Sequence, residues 1–177
     1  MPLNYRNLDQ ETREHMLSEI DYDVSKGTLF ISNRLTEIGA ENWAALLAEA
    51  VTQHDDAWLA NELQHRGYLK THEERRKPAG GITIAKVPVT ANTTLAEGEF
   101  NRFYIRGLCQ TVIKNGGNSL VAYRARESNN PRPESEAIVG RRFEPKSLLS
   151  DLRASTGVEP ALGVPPGPNS GLSVRTP

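Results

Sequence analysis

The chain has 177 residues, with 37% apolar residues, a net charge of −1 and a mean hydropathy of −0.52. That length allows one modest core. No apolar run approaches the roughly 20 residues needed to cross a bilayer, and the single cysteine, Cys109, excludes an internal disulfide, as expected of a protein made in a reducing cytoplasm.

The opening MPLNYRNLDQ carries neither the basic nor the apolar region of a signal peptide. Charge is divided unevenly. Residues 1–66 hold 5 Lys+Arg and 12 Asp+Glu, and residues 67–177 hold 16 and 10. Opposite signs in the two halves suit two solvated surfaces, or an acidic part of one copy meeting a basic part of another.

Leu8 to Lys26 reads as the first helix, with Met16, Leu17, Ile20 and Val24 at helical spacing and Gly27 as its stop. Thr28 to Ser32 is a short apolar run that reads as a buried strand or as the opening of a helix through Leu35 and Ile38. From Glu41 the helical signal is strong, with Trp43, Leu46, Leu47, Ala50 and Val51 in one stripe. Asp55 or Asp56 caps a further segment carrying Trp58, Leu59 and Leu63, closed by Gly67.

Lys70 to Pro78 is polar and charged. Gly80-Gly81 then leads into Ile82-Thr83-Ile84-Ala85-Lys86-Val87-Pro88-Val89, whose alternation predicts an exposed, edge-like strand. Thr94-Leu95-Ala96-Glu97 has capping-box spacing, and Phe100, Phe103, Tyr104, Leu108 and Val112 line the helix that follows, to Gly116-Gly117. Ser119 to Ala125 predicts a strand. Glu134 to Val139 predicts a short helix, and Pro145 opens another with Leu148, Leu149 and Leu152 inward.

Residues 155–177 contain five prolines and four glycines, yet Val158, Leu162, Val164, Leu172 and Val174 are spread through them. Plain disorder is one reading of such a tail; but a purely solvating tail would hold fewer apolar side chains, and the other reading is an arm laid on a neighbour's surface.

The expected fold class is α+β and helix-dominated: a small helical body with one or two short strands and extended Gly/Pro-rich arms. The expected divisions are an acidic helical region at 1–69, a linker with an extended segment at 70–92, a helix-strand-helix region at 93–154 and the arm at 155–177. The expected partner-binding residues are Ile82, Ile84, Val87, Val158, Leu162, Val164, Leu172 and Val174.

No catalytic, cofactor-binding or metal-binding residue is assigned. His54-Asp55-Asp56 reads as a helix junction rather than a metal site, His65 and His72 lack zinc spacing, and Cys109 reads as a core thiol without an activating base. The glycine pairs have no phosphate-loop spacing. Arg75-Arg76-Lys77, Arg102 with Arg106, and Arg141-Arg142 read as solvated or partner-facing charge, with nucleic-acid phosphates as the second reading.

Gly98-Glu99-Phe100-Asn101-Arg102-Phe103-Tyr104-Ile105-Arg106-Gly107-Leu108-Cys109 and Pro165-Pro166-Gly167-Pro168-Asn169-Ser170-Gly171-Leu172-Ser173-Val174 resemble proteins from the structural gene region of tailed bacteriophages, over roughly residues 90–177. The resemblance implies a non-enzymatic virion component, made in the bacterial host cytoplasm. Such a component would be capsid-associated, a stabilising or accessory subunit of the head, or would belong to the head–tail region. Its partners would be other virion proteins, among them the major capsid protein or head–tail proteins, and copies of itself. No membrane association is expected. The alternative is a nucleic-acid-binding regulator using the basic C-terminal half.

Overall fold

The computed structural model describes residues 2–127, 130–155 and 170–177. These form α1 (Gln10–Lys26), α2 (Glu37–Gln53), α3 (Asp56–His65), β1 (His72–Arg76), β2 (Ile82–Lys86), α4 (Ala91–Lys114), β3 (Leu120–Arg124), α5 (Pro133–Glu136), β4 (Arg142–Phe143), α6 (Pro145–Ala154) and β5 (Leu172–Arg175). The fold is α+β and dominated by helix. It has more strand than expected, in two sheets: the hairpin β1-β2 and a three-stranded antiparallel sheet in the order β4-β3-β5.

Local chemistry sets most helix ends. Asp9 caps α1 by accepting from the Thr12 N–H, and Gly27 ends it in the left-handed region at φ 67°. Thr36 caps α2 through Gly39 N–H, and Asp55 caps α3 through Trp58 N–H. Glu144 caps α6 by accepting from Lys146 and Ser147 N–H, with Pro145 at the first helical position. α4 differs from its expected start. It opens at Ala91, just after Pro88, so Thr94 lies inside its first turn and caps nothing; Thr90 stands at the cap position without a side-chain bond. Thr28 to Ser32 is neither strand nor helix. It receives the Trp43 indole N–H at the Phe30 carbonyl, 3.0 Å away.

The long helix α4 is the centre. α1, α3 and α6 pack on it, and β5 crosses it. One apolar core runs from Met16 on α1 to Val174 on β5, through Trp43, Leu47, Leu59, Phe100, Phe103 and Leu152. The core joins residues of the expected divisions 1–69, 93–154 and 155–177, and no residue of 70–92 belongs to it. Gly107 lets α1 and α4 approach closely: a Cβ there would lie 2.6 Å from Met16 Cγ and 2.9 Å from the Thr12 carbonyl oxygen.

Two expectations about surface are reversed. Arg102 and Arg106, read as outward-facing charge, are 3% and 1% exposed. Arg106 binds Glu19 and Asp23 of α1, and Arg102 lies against Glu99. Val24, read as part of an apolar stripe, is 51% exposed. Helical spacing fixes which residues share a face, but not whether a neighbour covers it.

Candidate docking surface on the β1-β2 hairpin

Pro78-Ala79-Gly80-Gly81 turns the chain between β1 and β2. Gly80 and Gly81 sit at φ 92° and 85°, which only glycine adopts readily. Lys77 N–H donates to the Gly81 carbonyl and Gly80 N–H to the Lys77 carbonyl. The register pairs His72 with Lys86, Glu74 with Ile84 and Arg76 with Ile82 on one face, and Glu73 with Ala85 and Arg75 with Thr83 on the other.

The β1 sequence, HEERR, has little strand preference of its own. Pairing with Ile82–Lys86 overrides it. The segment expected to be a polar linker is therefore the first strand of the hairpin.

The base of the hairpin is tied to the body. Arg34 grips Glu73 with two nitrogens, at 2.6 and 3.2 Å. Lys70 N–H donates to the Arg34 carbonyl, Thr36 N–H donates to the Tyr68 carbonyl, and Leu35 bridges Leu69. Arg75 also binds Glu73, at 2.6 Å, and Arg34 and Arg75 together hold its carboxyl below the usual carboxylate range. Beyond this base the strands pack chiefly on each other.

The two faces then differ. Glu73, Thr83 and Ala85 are half-covered. On the opposite face Ile82 and Ile84 are 62% and 64% exposed, framed by His72, Glu74, Arg76 and Lys86. Val89, just past β2, is 97% exposed. An exposed apolar pair in the middle of a charged ring is the usual composition of a contact patch.

The remaining expected partner-binding residues fall elsewhere. Val87 is half-buried at the hairpin base, where its N–H donates to the Thr71 carbonyl. Val158, Leu162 and Val164 lie outside the described residues. Leu172 and Val174 are a correction. They are 2% and 0% exposed, in β5, paired with β3 and packed on α4. The chain's own sheet has absorbed their apolar surface, so they offer none to a partner.

A second feature was invisible in the sequence. An open cleft of about 960 Å³ runs between the N-terminal segment and the start of α3, lined by Tyr5, Arg13, His54, Trp58 and Glu127 among others. His54 stacks on Trp58 with ring centroids 4.0 Å apart, and Asp55 is spent as the α3 cap. Asp56, beside it, is buried and accepts the Leu3 N–H at 3.2 Å through Oδ2. Its Oδ1 and the Tyr5 hydroxyl have no hydrogen-bond partner among the described residues. Only the accompanying segment 2–5 reveals this burial, and nothing local in HDD predicts it.

Burial pushes the Asp56 carboxyl up to about 7, with the Glu97 and Asp55 charges adding to the effect. Burial also pushes Glu99 up to about 7, against the opposing pull of Arg102. A carboxyl raised in the folded state stabilises the fold fully below its unfolded value near 4, and that stabilisation is lost as pH rises through 7. At 1.36 kcal/mol per pKa unit, each group contributes on the order of 2–4 kcal/mol to this slope. The urea midpoint is therefore expected to fall between pH 5 and 8. Asp56→Asn and Glu99→Gln should each flatten part of that fall. A midpoint that rises over this range, or a slope untouched in both variants, would contradict the assignment.

Cys109 is buried, and burial raises its thiol pKa well above the usual range, so the thiolate is disfavoured. Among the described residues no group of three or more His, Cys, Asp or Glu is placed to hold a metal ion. No described helix is long and apolar enough to cross a membrane. Comparison with protein-family models, with curated proteins and with solved structures found no match for this chain.

Proposed function

We propose that this chain is a non-enzymatic assembly subunit that joins neighbouring proteins through the β1-β2 hairpin, and that its setting is a tailed-phage particle. The observation that carries the docking reading is the exposed pair Ile82 and Ile84, on a hairpin that projects from an otherwise well-packed body. The phage setting rests on the sequence resemblance over residues 90–177. Its partners would be other virion proteins, of the capsid or the head–tail region, and further copies of the chain. The subunit would be capsid-associated, with a stabilising or accessory role.

Burying an isoleucine side chain is worth roughly 1.5–3 kcal/mol. One hairpin contact is therefore weak, and many tethered contacts on one particle act together. The hairpin takes over the role the sequence suggested for the C-terminal arm, whose last strand is folded into the body.

The test is incorporation. Because Ile82 and Ile84 point outward, Ile82→Glu with Ile84→Glu should cost about 1 kcal/mol or less, most of it from a carboxylate set opposite Glu74. Incorporation of this double variant into purified particles, measured by mass spectrometry, should fall at least tenfold. Normal incorporation would reject the docking reading.

A second reading uses the same face differently. Arg76 and Lys86 flank the isoleucines, and Lys77 stands at the turn. Nucleic-acid binding that weakens steeply with salt, and weakens further in Arg76→Ala, would favour it.

A further inference from the structure

We infer that two copies of the chain join edge to edge through β2, around a two-fold axis at Ile84, to make a continuous four-stranded sheet β1-β2-β2-β1. This rests on reading the hairpin as a docking element and names its partner.

The phase of the ladder fixes which groups are free. Val87 N–H donates to Thr71 and Lys77 N–H to Gly81. In an antiparallel pair bonded and non-bonded positions alternate, so Glu73 with Ala85 and Arg75 with Thr83 exchange the bonds between them. The backbone groups of Ile82, Ile84 and Lys86 therefore point away from β1, toward the open edge. Among the described residues, the Lys86 carbonyl is touched there only by an Arg75 nitrogen at 3.5 Å, the outer limit of a hydrogen bond.

The two edges of the hairpin are unlike. β1 is guarded: every residue from His72 to Arg76 is ionisable, Glu73 is gripped by Arg34, and Lys70 N–H just before it is taken by the Arg34 carbonyl. Charged edges of this kind resist further pairing. β2 is guarded only at its end, by Lys86, for Ala79 to Ala85 carries no charge at all.

Charge and register then choose the occupant. A β1-to-β1 contact centred on Glu74 opposes two carboxylates, and one centred on Arg75 opposes two guanidiniums. An antiparallel β2-to-β2 contact centred on Ile84 sets Ile84 against Ile84 and Ile82 against Lys86, so the lysines stay apart. It also uses all three outward-pointing residues of each copy. Shifting the centre to Ala85 sets Ile82 against Pro88, which has no N–H to give. Centring on Thr83 sets Lys86 against Gly80 in the turn, at φ 92°. The Ile84 register alone keeps the full ladder, and it gathers four isoleucines on one face. Such a contact is isologous and closed.

Five-residue strands bury well under the roughly 1,200–2,000 Å² of a stable dimer. The pair should therefore dissociate when dilute and hold where copies are concentrated on a particle.

Disulfide trapping tests this in the full chain, because the native Cys109 is buried and silent. Under mild oxidation at high micromolar concentration, Ile84→Cys should cross-link to a dimer at least tenfold faster than Glu74→Cys on the β1 edge. Sedimentation of the otherwise native chain should show a monomer–dimer equilibrium. Ile84→Pro should abolish it, since proline removes an N–H that only the outer edge uses. Equal cross-linking rates, faster trapping at Glu74, or oligomers growing beyond the dimer would overturn the two-fold pairing. If trapping fails while the Ile82→Glu, Ile84→Glu variant is still excluded from particles, the hairpin docks on a different protein and only this inference falls. If trapping succeeds while that variant is incorporated normally, the pairing stands and the proposed function falls.

Discussion

Arg106→Ala should remove about 3–5 kcal/mol of stability, because it leaves Asp23 buried without a cation and Glu19 with only the partly exposed Arg153. The guanidinium Nε donates to Glu19 Oε2 at 2.9 Å, and its two terminal nitrogens reach Asp23 at 2.7 and 2.9 Å. One of these nitrogens also approaches the Glu19 carbonyl at 3.3 Å, and the planar group lies 4.8 Å from the centre of the Phe103 ring. Arg106 and Glu19 are 1% exposed and Asp23 5%, so water cannot replace what is lost. Domains of this size are stable by about 5–15 kcal/mol, so the loss is a large share of the total and should lower the urea midpoint markedly.

Arg153 provides an internal control. It also binds Glu19, at 2.6 and 3.0 Å, but its side chain is 29% exposed. Solvent screens that pair, and Arg153→Ala should cost about 1 kcal/mol or less. Replacing the set together, Arg106→Met with Glu19→Leu and Asp23→Leu, should recover much of the loss. Urea midpoints rank the variants. An Arg106→Ala protein within 1 kcal/mol of the parent would show that these charges do not depend on one another.

Deleting residues 170–177 should destroy the fold, where a free arm would have left the body intact. Leu172 and Val174 are fully buried, and exposing them forfeits roughly 1.5–3 kcal/mol each. The strand also satisfies groups deep in α4. Asn101 Nδ2 donates to the Leu172 carbonyl at 2.7 Å, Ser173 Oγ donates to Asn101 Oδ1 at 2.6 Å, and the Tyr104 hydroxyl donates to the Val174 carbonyl at 3.1 Å. Each buried polar group left unpaired adds about 1–3 kcal/mol. Together these losses match the total stability of a small domain. The truncated chain should lose its cooperative thermal transition and its near-ultraviolet circular dichroism. A cooperative melt at the parent's temperature would mean that β5 is dispensable.

Both predictions concern features that the sequence conceals. Arg102 and Arg106 stand one turn apart, the spacing that solvated charges also show. The burial of Arg106 depends on Glu19 and Asp23, which share a face of another helix more than eighty residues earlier, and Arg102 is buried against Glu99 and the Ser155 carbonyl. β5 is four residues in a stretch of glycine and proline, and it becomes a strand because β3 offers an edge. HEERR becomes a strand for the same reason.

Features set by neighbours in the chain were readable. Gly27 as a stop, Asp55 as a cap, Pro145 at a first turn and the alternation from Ile82 to Ala85 all appear where local spacing places them. Of the expected docking residues, Ile82 and Ile84 keep an outward face because alternation fixes it. Leu172 and Val174 lose theirs because composition alone cannot tell an arm from a late-added strand.

That late strand orders events on the ribosome. Until residues 172–175 emerge, a nascent chain holds the Asn101 amide, the Tyr104 hydroxyl and the free edge of β3 open, although α1 to α4 are already available to collapse. Pairings this distant in sequence form slowly. During that interval the half-finished sheet is the surface a chaperone would hold.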